Sequence, residues 1–143
     1  MRHFIFIITL LCSIAYSQER ITFDWLQTQV RMVEAFDLGT RSKVQKPRFE
    51  KALRKLDGKE VILKGYMLPL DVDGQSYALS ANPYAACFFC GGAGVETVIG
   101  IWFDGPPPRR YKTDAVVVLR GTLVLSEIPG GYVYLLQEVK EVR

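Results

Sequence analysis

The chain contains the run Gly58-Lys59-Glu60-Val61-Ile62-Leu63-Lys64-Gly65-Tyr66-Met67-Leu68-Pro69-Leu70, in which the apolar residues change from a helical period to a period of two. Val61 and Leu63 alternate with their neighbours as one face of a half-buried strand does. We therefore predict a long first strand over Lys59 to Leu70. Gly65 in its middle predicts a bend or a bulge, because glycine weakens a regular strand.

Further strands are predicted downstream, separated by turn residues. Asp71-Val72-Asp73-Gly74 is typical of a hairpin turn. The prolines from Pro106 to Pro108 exclude ladder pairing, Gly121 interrupts a long apolar segment, and Pro129-Gly130-Gly131 predicts another turn. The predicted strands are Ser76 to Ser80, Val95 to Phe103, Ala115 to Leu125 and Tyr132 to Val139.

The residues upstream predict helices. Asp24 to Phe36 fits an amphipathic helix with Asp24 as its N-cap, although a strand over Val30 to Phe36 fits nearly as well. Leu38 to Lys46 is polar and is predicted to be a loop. Pro47 is predicted to open a stronger helix, which ends at Asp57-Gly58. Its apolar face would consist of Phe49, Leu53 and Leu56.

This order of elements predicts a mainly β (α+β) protein. One or two short helices followed by strands with internal glycines favour a five-stranded, OB-like antiparallel barrel. A β-sandwich is the alternative. A thioredoxin fold is disfavoured, because it needs βαβ alternation and a helix after its cysteine pair, whereas no helical period follows Cys90.

Residues 1–17 are predicted to be a secretory signal peptide. Arg2 supplies the positive charge, and Phe4 to Ala15 is an apolar segment too short to span a membrane. Small residues, including Ser17, suit cleavage before Gln18. We therefore expect an exported, periplasmic protein in a compartment where disulfides persist.

The mature chain is predicted to have an N-terminal extension over residues 18–46 and an OB-like domain over residues 47–143, without a transmembrane segment. Lipid anchoring at Cys12 is the less favoured alternative, because the bulky Leu11 precedes it. The net charge of +3 falls to +2 when Arg2 is removed, which is too small to indicate a nucleic-acid partner.

The most distinctive segment is Asn82-Pro83-Tyr84-Ala85-Ala86-Cys87-Phe88-Phe89-Cys90-Gly91-Gly92-Ala93-Gly94, which we call the cysteine loop. Its Cys87 and Cys90 are expected to form a disulfide, exchange electrons, bind a metal, or pack as free thiols. Other candidate binding residues of this site are Asn82, Pro83, Tyr84, Phe88, Phe89, Gly91, Gly92 and Gly94, together with Arg109 and Arg110.

Each chemistry makes its own demand on the loop. A disulfide here closes a short ring and stabilises by only about 2 kcal/mol. Redox activity needs a lowered thiolate pKa, for which the glycine N–H groups or the two arginines are candidates. Zinc, the candidate cofactor, needs two more ligands or a second chain. The possible further ligands in the sequence are Asp71, Asp73, Glu96 and Asp104.

Several segments together resemble a known family: the run from Gly58 to Leu70, the segment from Asn82 to Cys87, and the prolines from Pro106 to Pro108. They are similar to the DUF3299 family of small exported bacterial proteins, over roughly residues 47–139. The resemblance implies an OB-like fold of unknown function, with Cys87 as the family cysteine and Cys90 as the mark of a Cys-x-x-Cys subgroup. It also implies envelope or transport-system proteins as partners, since some relatives lie beside transport systems.

We expect a binding or accessory module rather than an enzyme, because the mature chain has no histidine and no nucleophile–base pair. Its functional surface is expected at Tyr84 to Gly94, with the Pro106 to Arg110 loop. The alternatives are a periplasmic thiol-disulfide protein and an oligonucleotide- or oligosaccharide-binding barrel. Such a barrel would bind its ligand on an aromatic face, although packing in the core is the simpler role for these side chains. The aromatic residues in question are Tyr66, Tyr77, Tyr84, Phe88, Phe89, Trp102 and Tyr111.

Overall fold

The computed structural model describes residues 18–142, so the predicted signal peptide and Cys12 lie outside the described residues. The N-terminal part contains a short strand, a helix, a hairpin and a single helical turn. The elements there are β1 (Glu19–Ile21), α1 (Phe23–Thr28), β2 (Val30–Asp37), β3 (Ser42–Phe49) and α2 (Lys51–Arg54). The elements that follow are β4 (Glu60–Pro69), β5 (Tyr77–Ser80), β6 (Val98–Ile101), β7 (Ala115–Leu125) and β8 (Tyr134–Glu141).

The last five of these strands form a closed barrel in the order β4-β5-β6-β8-β7, with β7 paired back to β4. All neighbours in the barrel are antiparallel except β6 and β8, which are parallel. This is the connectivity of a five-stranded Greek-key barrel of the OB type. The predicted fold class is confirmed.

Two glycines allow the long strands to bend around the barrel. A Cβ on Gly65 would lie 2.7 Å from the carbonyl oxygen of Ser80 and 2.8 Å from Cγ of Leu79. Gly65 follows the residues of β4 that pair with β1 and precedes those that pair with β5. At Gly121 the register between β7 and β8 shifts, as a bulge does. The predicted irregularity at Gly121 is therefore present. Gly65 forms no bulge, because it keeps its regular pairing with Val117, and a bend there stays a prediction.

The N-terminal predictions were partly wrong. The helix predicted from Asp24 to Phe36 ends at Thr28, and the alternative strand from Val30 is the one formed. The N-cap of this helix is Thr22 and not Asp24 as predicted. The Thr22 hydroxyl accepts a hydrogen bond from the Trp25 N–H at 3.2 Å. The predicted loop from Leu38 to Lys46 is largely strand β3, because its backbone pairs with β2 along its length.

The helix predicted to begin at Pro47 was also misplaced. Pro47 lies within β3 opposite Met32, and the helical turn starts only at Lys51. Proline lacks a backbone N–H and is therefore tolerated in a sheet essentially only on edge strands. β3 is such a strand, because it pairs with β2 alone. The apolar face nevertheless points inward as expected, since Phe49, Leu53 and Leu56 are buried.

The core fills the barrel and is closed at one end by α1. Leu26 is fully buried, and its carbonyl oxygen accepts a hydrogen bond of 3.1 Å from the buried Tyr134 hydroxyl. Phe23 and Ile21 pack into the same cluster. Among residues 18–142, no helix has the length and apolar character needed to cross a bilayer.

Candidate functional site

The cysteine loop connects β5 to β6 and is folded as consecutive 3₁₀ turns over Tyr84–Ala86 and Phe88–Cys90. The carbonyl oxygen of Cys87 accepts hydrogen bonds from the N–H groups of Cys90 and Gly92, each at 3.2 Å. Cys87 is fully buried, whereas Cys90 is exposed. The loop therefore wraps around one thiol and presents the other at the surface.

Glycines are required at two positions by the backbone of this loop. Gly91 has a φ of 74°, a left-handed conformation that ends the second turn. At Gly92 an added Cβ would lie 2.9 Å from the carbonyl oxygen of Ala86 and 3.0 Å from its carbonyl carbon. The glycines thus allow the chain after Cys90 to fold tightly against the residues before Cys87.

The two cysteines are free thiols in the structure and flank one 3₁₀ turn, with Cys87 at its start and Cys90 as its last residue. Partial desolvation and the adjacent Cys87 raise the pKa of the Cys90 thiol above its ordinary value, while a hydrogen bond with Tyr84 acts in the opposite direction. Two of the glycine N–H groups considered as thiolate stabilisers are used by the loop itself: Gly91 donates to the Phe88 carbonyl and Gly92 to the Cys87 carbonyl. The surroundings of Cys90 therefore do not activate it as a nucleophile.

The carboxylates considered as further metal ligands are not gathered around the thiols. Over residues 18–142, His, Cys, Asp and Glu side chains nowhere form a group of three that could hold a metal ion. Asp71 instead accepts hydrogen bonds from the N–H groups of Gln75 and Ser76, at 2.9 and 3.0 Å. Those N–H groups hold the pKa of Asp71 below its ordinary value, which confirms its role in the turn.

The start of the cysteine loop is anchored to the barrel by its polar groups. The N–H of Asn82 donates to the Ser80 hydroxyl at 3.1 Å, and the N–H of Tyr84 donates to the Asp114 carboxylate at 2.7 Å. The Pro83 carbonyl accepts from Ala86 inside the first turn. Asn82 and Pro83 thus position the loop, and Asp114 shares this role. No local pattern predicts it for Asp114, which lies 30 residues from Tyr84 in the sequence.

The two phenylalanines of the loop continue into an aromatic strip on the outside of the barrel. Phe88 and Phe89 meet edge to face with centroids 5.5 Å apart, and Phe89 meets Tyr132 in the same manner at 6.4 Å. Tyr132 belongs to the β7–β8 loop, and it borders Trp102, which follows β6. We define the aromatic strip as Phe88, Phe89, Tyr132 and Trp102.

A groove of about 340 Å³ is lined by Trp102 and Tyr132 of this strip and by residues of β5 and β6. Gly100 lies beneath it, where an added Cβ would come within 2.9 Å of Leu135 and 3.0 Å of the Tyr132 ring. Trp102 is 61% exposed, while its backbone N–H is bonded to Leu136 of β8 at 2.8 Å. The indole is therefore held at the surface by a fixed backbone. The walls of this apolar groove include Leu70, Tyr77, Gly100, Trp102, Tyr132 and Leu135.

The groove occupies the ligand face of the barrel type. OB barrels bind ligands on their second and third strands between the loops that join strands 1–2 and 4–5. These elements correspond here to β5, β6, the β4–β5 loop and the β7–β8 loop. The residues that line the groove include no lysine, arginine, aspartate or glutamate. The face is therefore suited to an uncharged ligand surface.

Arg109 and Arg110 are engaged elsewhere. Arg109 forms a bidentate pair with Glu141, at 2.8 and 3.0 Å, and its guanidinium lies 4.2 Å from the Tyr111 ring centroid. Arg110 donates to the carbonyl of Val72. These contacts hold the proline-rich loop onto the barrel and give neither arginine a partner in the cysteine loop.

The aromatic residues of the sequence divide between core and surface. Tyr77 and Tyr111 are buried and form a cluster with Phe103, so the core interpretation is correct for them. Tyr84, Phe88, Phe89 and Trp102 are exposed. Tyr132, which is half-buried, completes the strip. The sequence predicts it as the first residue of a strand, because nothing in its local pattern reveals a contact with a distant loop.

A larger cleft of about 850 Å³ lies beside the proline-rich loop. Both arginines that line it are paired with carboxylates of the same lining, Arg109 with Glu141 at 2.8 Å and Arg120 with Glu60 at 3.8 Å. Paired charges satisfy each other and are less available to a ligand than open ones. The smaller apolar groove is therefore the stronger candidate site.

Comparison with solved structures places this barrel beside a known architecture. The crystal structure of a DUF3299 family protein from Pseudomonas aeruginosa PAO1 matches with a TM-score of 0.51 at 16% sequence identity. The match covers 89% of this chain and 97% of that chain. The fold is that of a DUF3299 protein.

The likeness to DUF3299 confirms the predicted resemblance at the level of the fold, and it extends over most of both chains. The sequence matches no protein-family model and no curated protein. The function of this DUF3299-like barrel therefore has to be argued from its own surface.

Proposed function

We propose that this protein is an exported binding module of the cell envelope that captures an apolar segment of a partner protein in the apolar groove. The observation that carries the proposal is the aromatic strip, which joins the cysteine loop to the β7–β8 loop on the ligand face of the barrel. Exposed aromatic side chains around an uncharged centre are characteristic of protein interfaces.

The rim of the groove favours a polypeptide over a sugar or a nucleic acid. Leu70, Val72 and Ile128 are exposed at 42%, 87% and 71% and belong to the two loops that flank the groove. Aliphatic side chains of this kind complement an apolar peptide surface. Nucleic acid binding depends on lysine and arginine contacts to phosphates, and neither residue type lines the groove.

A thiol-disulfide function receives less support from the geometry. A redox-active pair requires an accessible thiolate with a lowered pKa. Cys87 is buried, and the pKa of Cys90 is shifted upward by desolvation and by Cys87. The cysteine loop is better suited to hold Phe88 and Phe89 in place.

The test compares the tagged, exported protein with two alanine variants in purification of a partner from the envelope fraction. Trp102→Ala removes the exposed indole of the groove and is expected to weaken binding of the isolated partner by about 2 kcal/mol, or roughly 30-fold. Phe36→Ala is the matched control, because Phe36 is also 61% exposed but lies on the β2–β3 hairpin. Equal binding by wild type and Trp102→Ala contradicts the proposal. Capture of a saccharide or oligonucleotide alone also contradicts it.

A further inference from the structure

Cys87 and Cys90 lie outside the set of residues that line the groove. Both are free, and the backbone of one 3₁₀ turn, with a hydrogen bond of 3.2 Å from the Cys90 N–H to the Cys87 carbonyl, fixes their spacing. The Cys87 carbonyl is bonded by two N–H groups at 3.2 Å, and Gly91 closes the turn in a left-handed conformation. The arrangement presents two sulfur atoms from one compact turn.

We propose that Cys87 and Cys90 bind one Cu(I) ion as a two-coordinate, bis-thiolate site. The proposal goes beyond partner capture and does not depend on it. Soft thiolate ligands select soft cations such as Cu(I), whereas Mg²⁺ and Ca²⁺ require oxygen ligands.

The number of ligands in the loop separates copper from zinc. Structural zinc is held by four ligands in a tetrahedron. Within residues 18–142 no third His, Cys, Asp or Glu joins the two cysteines in a group that could hold a metal. One chain can therefore complete a two-coordinate Cu(I) site, but a zinc site would require a second chain.

The surroundings of the pair also favour a weakly hydrated cation. Cys87 has no exposed surface, and Phe88 and Phe89 lie between the sulfurs in sequence. An apolar, partly dry site disfavours an ion that must keep bound water. The exposed Cys90 provides the entry side.

Binding of the ion involves no electron transfer. Two S–H bonds break and two S–Cu bonds form, and both protons pass to solvent or buffer. Cu(I) enters and remains Cu(I), so the charge of the site falls from zero to minus one. No oxidant or reductant is consumed.

The experiment uses the exported protein, reduced under anaerobic conditions and then supplied with Cu(I) in the presence of the chelator bicinchoninate. We expect native mass spectrometry to show one copper per chain, as a mass increase equal to one copper less the two displaced protons. We expect X-ray absorption to show two sulfur ligands. Cys87→Ser and Cys90→Ser are each expected to lose the copper to the chelator. Gly131→Ala is the control that retains it, because a Cβ there meets nothing closer than 3.5 Å.

Particular outcomes would overturn the proposal. Copper that is lost equally by wild type and both serine variants would show that the loop has no site. Four sulfur ligands shared by two chains, or zinc retained in place of copper, would show a zinc-type site. Circular dichroism of the serine variants confirms that any loss of copper does not come from unfolding.

Discussion

The Phe89 ring of the cysteine loop packs edge to face on the Tyr132 ring of the β7–β8 loop, with centroids 6.4 Å apart and planes at 76°. These loops are far apart in the sequence and lie side by side only because β6 and β8 are neighbours in the barrel. Gly100 makes room for the Tyr132 ring. The contact therefore connects the cysteine loop to the apolar groove.

The energy of this contact is measurable by a double-mutant cycle. We expect Phe89→Ala and Tyr132→Ala to show a coupling free energy of about 0.5 to 1 kcal/mol, since aromatic pairs contribute this much beyond burial. Urea unfolding of the two single variants and the double variant supplies the value. Strictly additive effects would show that the rings do not interact in solution.

The burial of Cys87 depends on Gly92. In Gly92→Ala the new Cβ would crowd the Ala86 carbonyl. Such overpacking destabilises the closed loop by about 1 to 3 kcal/mol. We expect the loop to open and Cys87 to react roughly 5- to 150-fold faster with a thiol reagent. Stopped-flow labelling of Cys90→Ser variants isolates the Cys87 rate. Gly131→Ala is the control, and an unchanged Cys87 rate in Gly92→Ala would contradict the loop geometry.

The position of β4 against its neighbours depends on Gly65. Its Cβ would lie 2.7 Å from the Ser80 carbonyl and 2.9 Å from Cε2 of Phe23, so β4, β5 and α1 cannot all keep their positions. We expect Gly65→Ala to lower the free energy of unfolding by about 1 to 3 kcal/mol. Thermal and urea unfolding measure this effect. A variant as stable as the wild type would mean that the position of β4 does not depend on Gly65.

Alkaline stability depends on Tyr111. Burial and a hydrogen bond of 3.1 Å to Glu141 raise the pKa of Tyr111 to about 12, from an ordinary value of 10.0. The pKa of Tyr111 is higher in the folded than in the unfolded protein. The contribution of Tyr111 to the free energy of unfolding is therefore complete below about pH 10 and is lost as the pH rises from about 10 towards 12.

Tyr111→Phe removes both the hydrogen bond and this titration. We expect it to cost about 1 kcal/mol at neutral pH and to flatten the decline in stability above pH 10. Urea unfolding between pH 8 and about 11.5 tests both effects. Tyr84→Phe, in which the altered ring is exposed, serves as the control. An unchanged alkaline slope in Tyr111→Phe would contradict the assignment.

The barrel was predictable because the local sequence of its long strands shows the alternation of apolar residues that is typical of a strand. Ala115 to Leu125 was predicted with the boundaries that the structure shows, since its core-facing residues alternate and Gly121 marks the bulge. The β2–β3 hairpin was harder to predict. Between Arg31 and Lys46 it has no buried residue, so no alternation of burial is imposed on its sequence.

The site was predictable only in part for a different reason. The Cys-x-x-Cys spacing and the glycine run identify the cysteine loop from local sequence alone. The partnership of Phe89 with Tyr132 depends on which strands are neighbours in the barrel. Likewise, Arg109 was a candidate partner of the cysteine loop, but it pairs with Glu141 instead. Local sequence patterns do not reveal this contact between distant residues.

The most direct measurement of the central claim is photo-crosslinking in living cells, with benzoylphenylalanine introduced at position 102 in the apolar groove or at position 36 on the β2–β3 hairpin. Wild-type Trp102 and Phe36 are equally exposed, so both probes sample their surroundings with the same access. The proposed function predicts a polypeptide adduct of discrete mass from position 102 and none from position 36. Equal adducts at both positions, or no adduct at position 102 in protein that has reached the envelope, would contradict it.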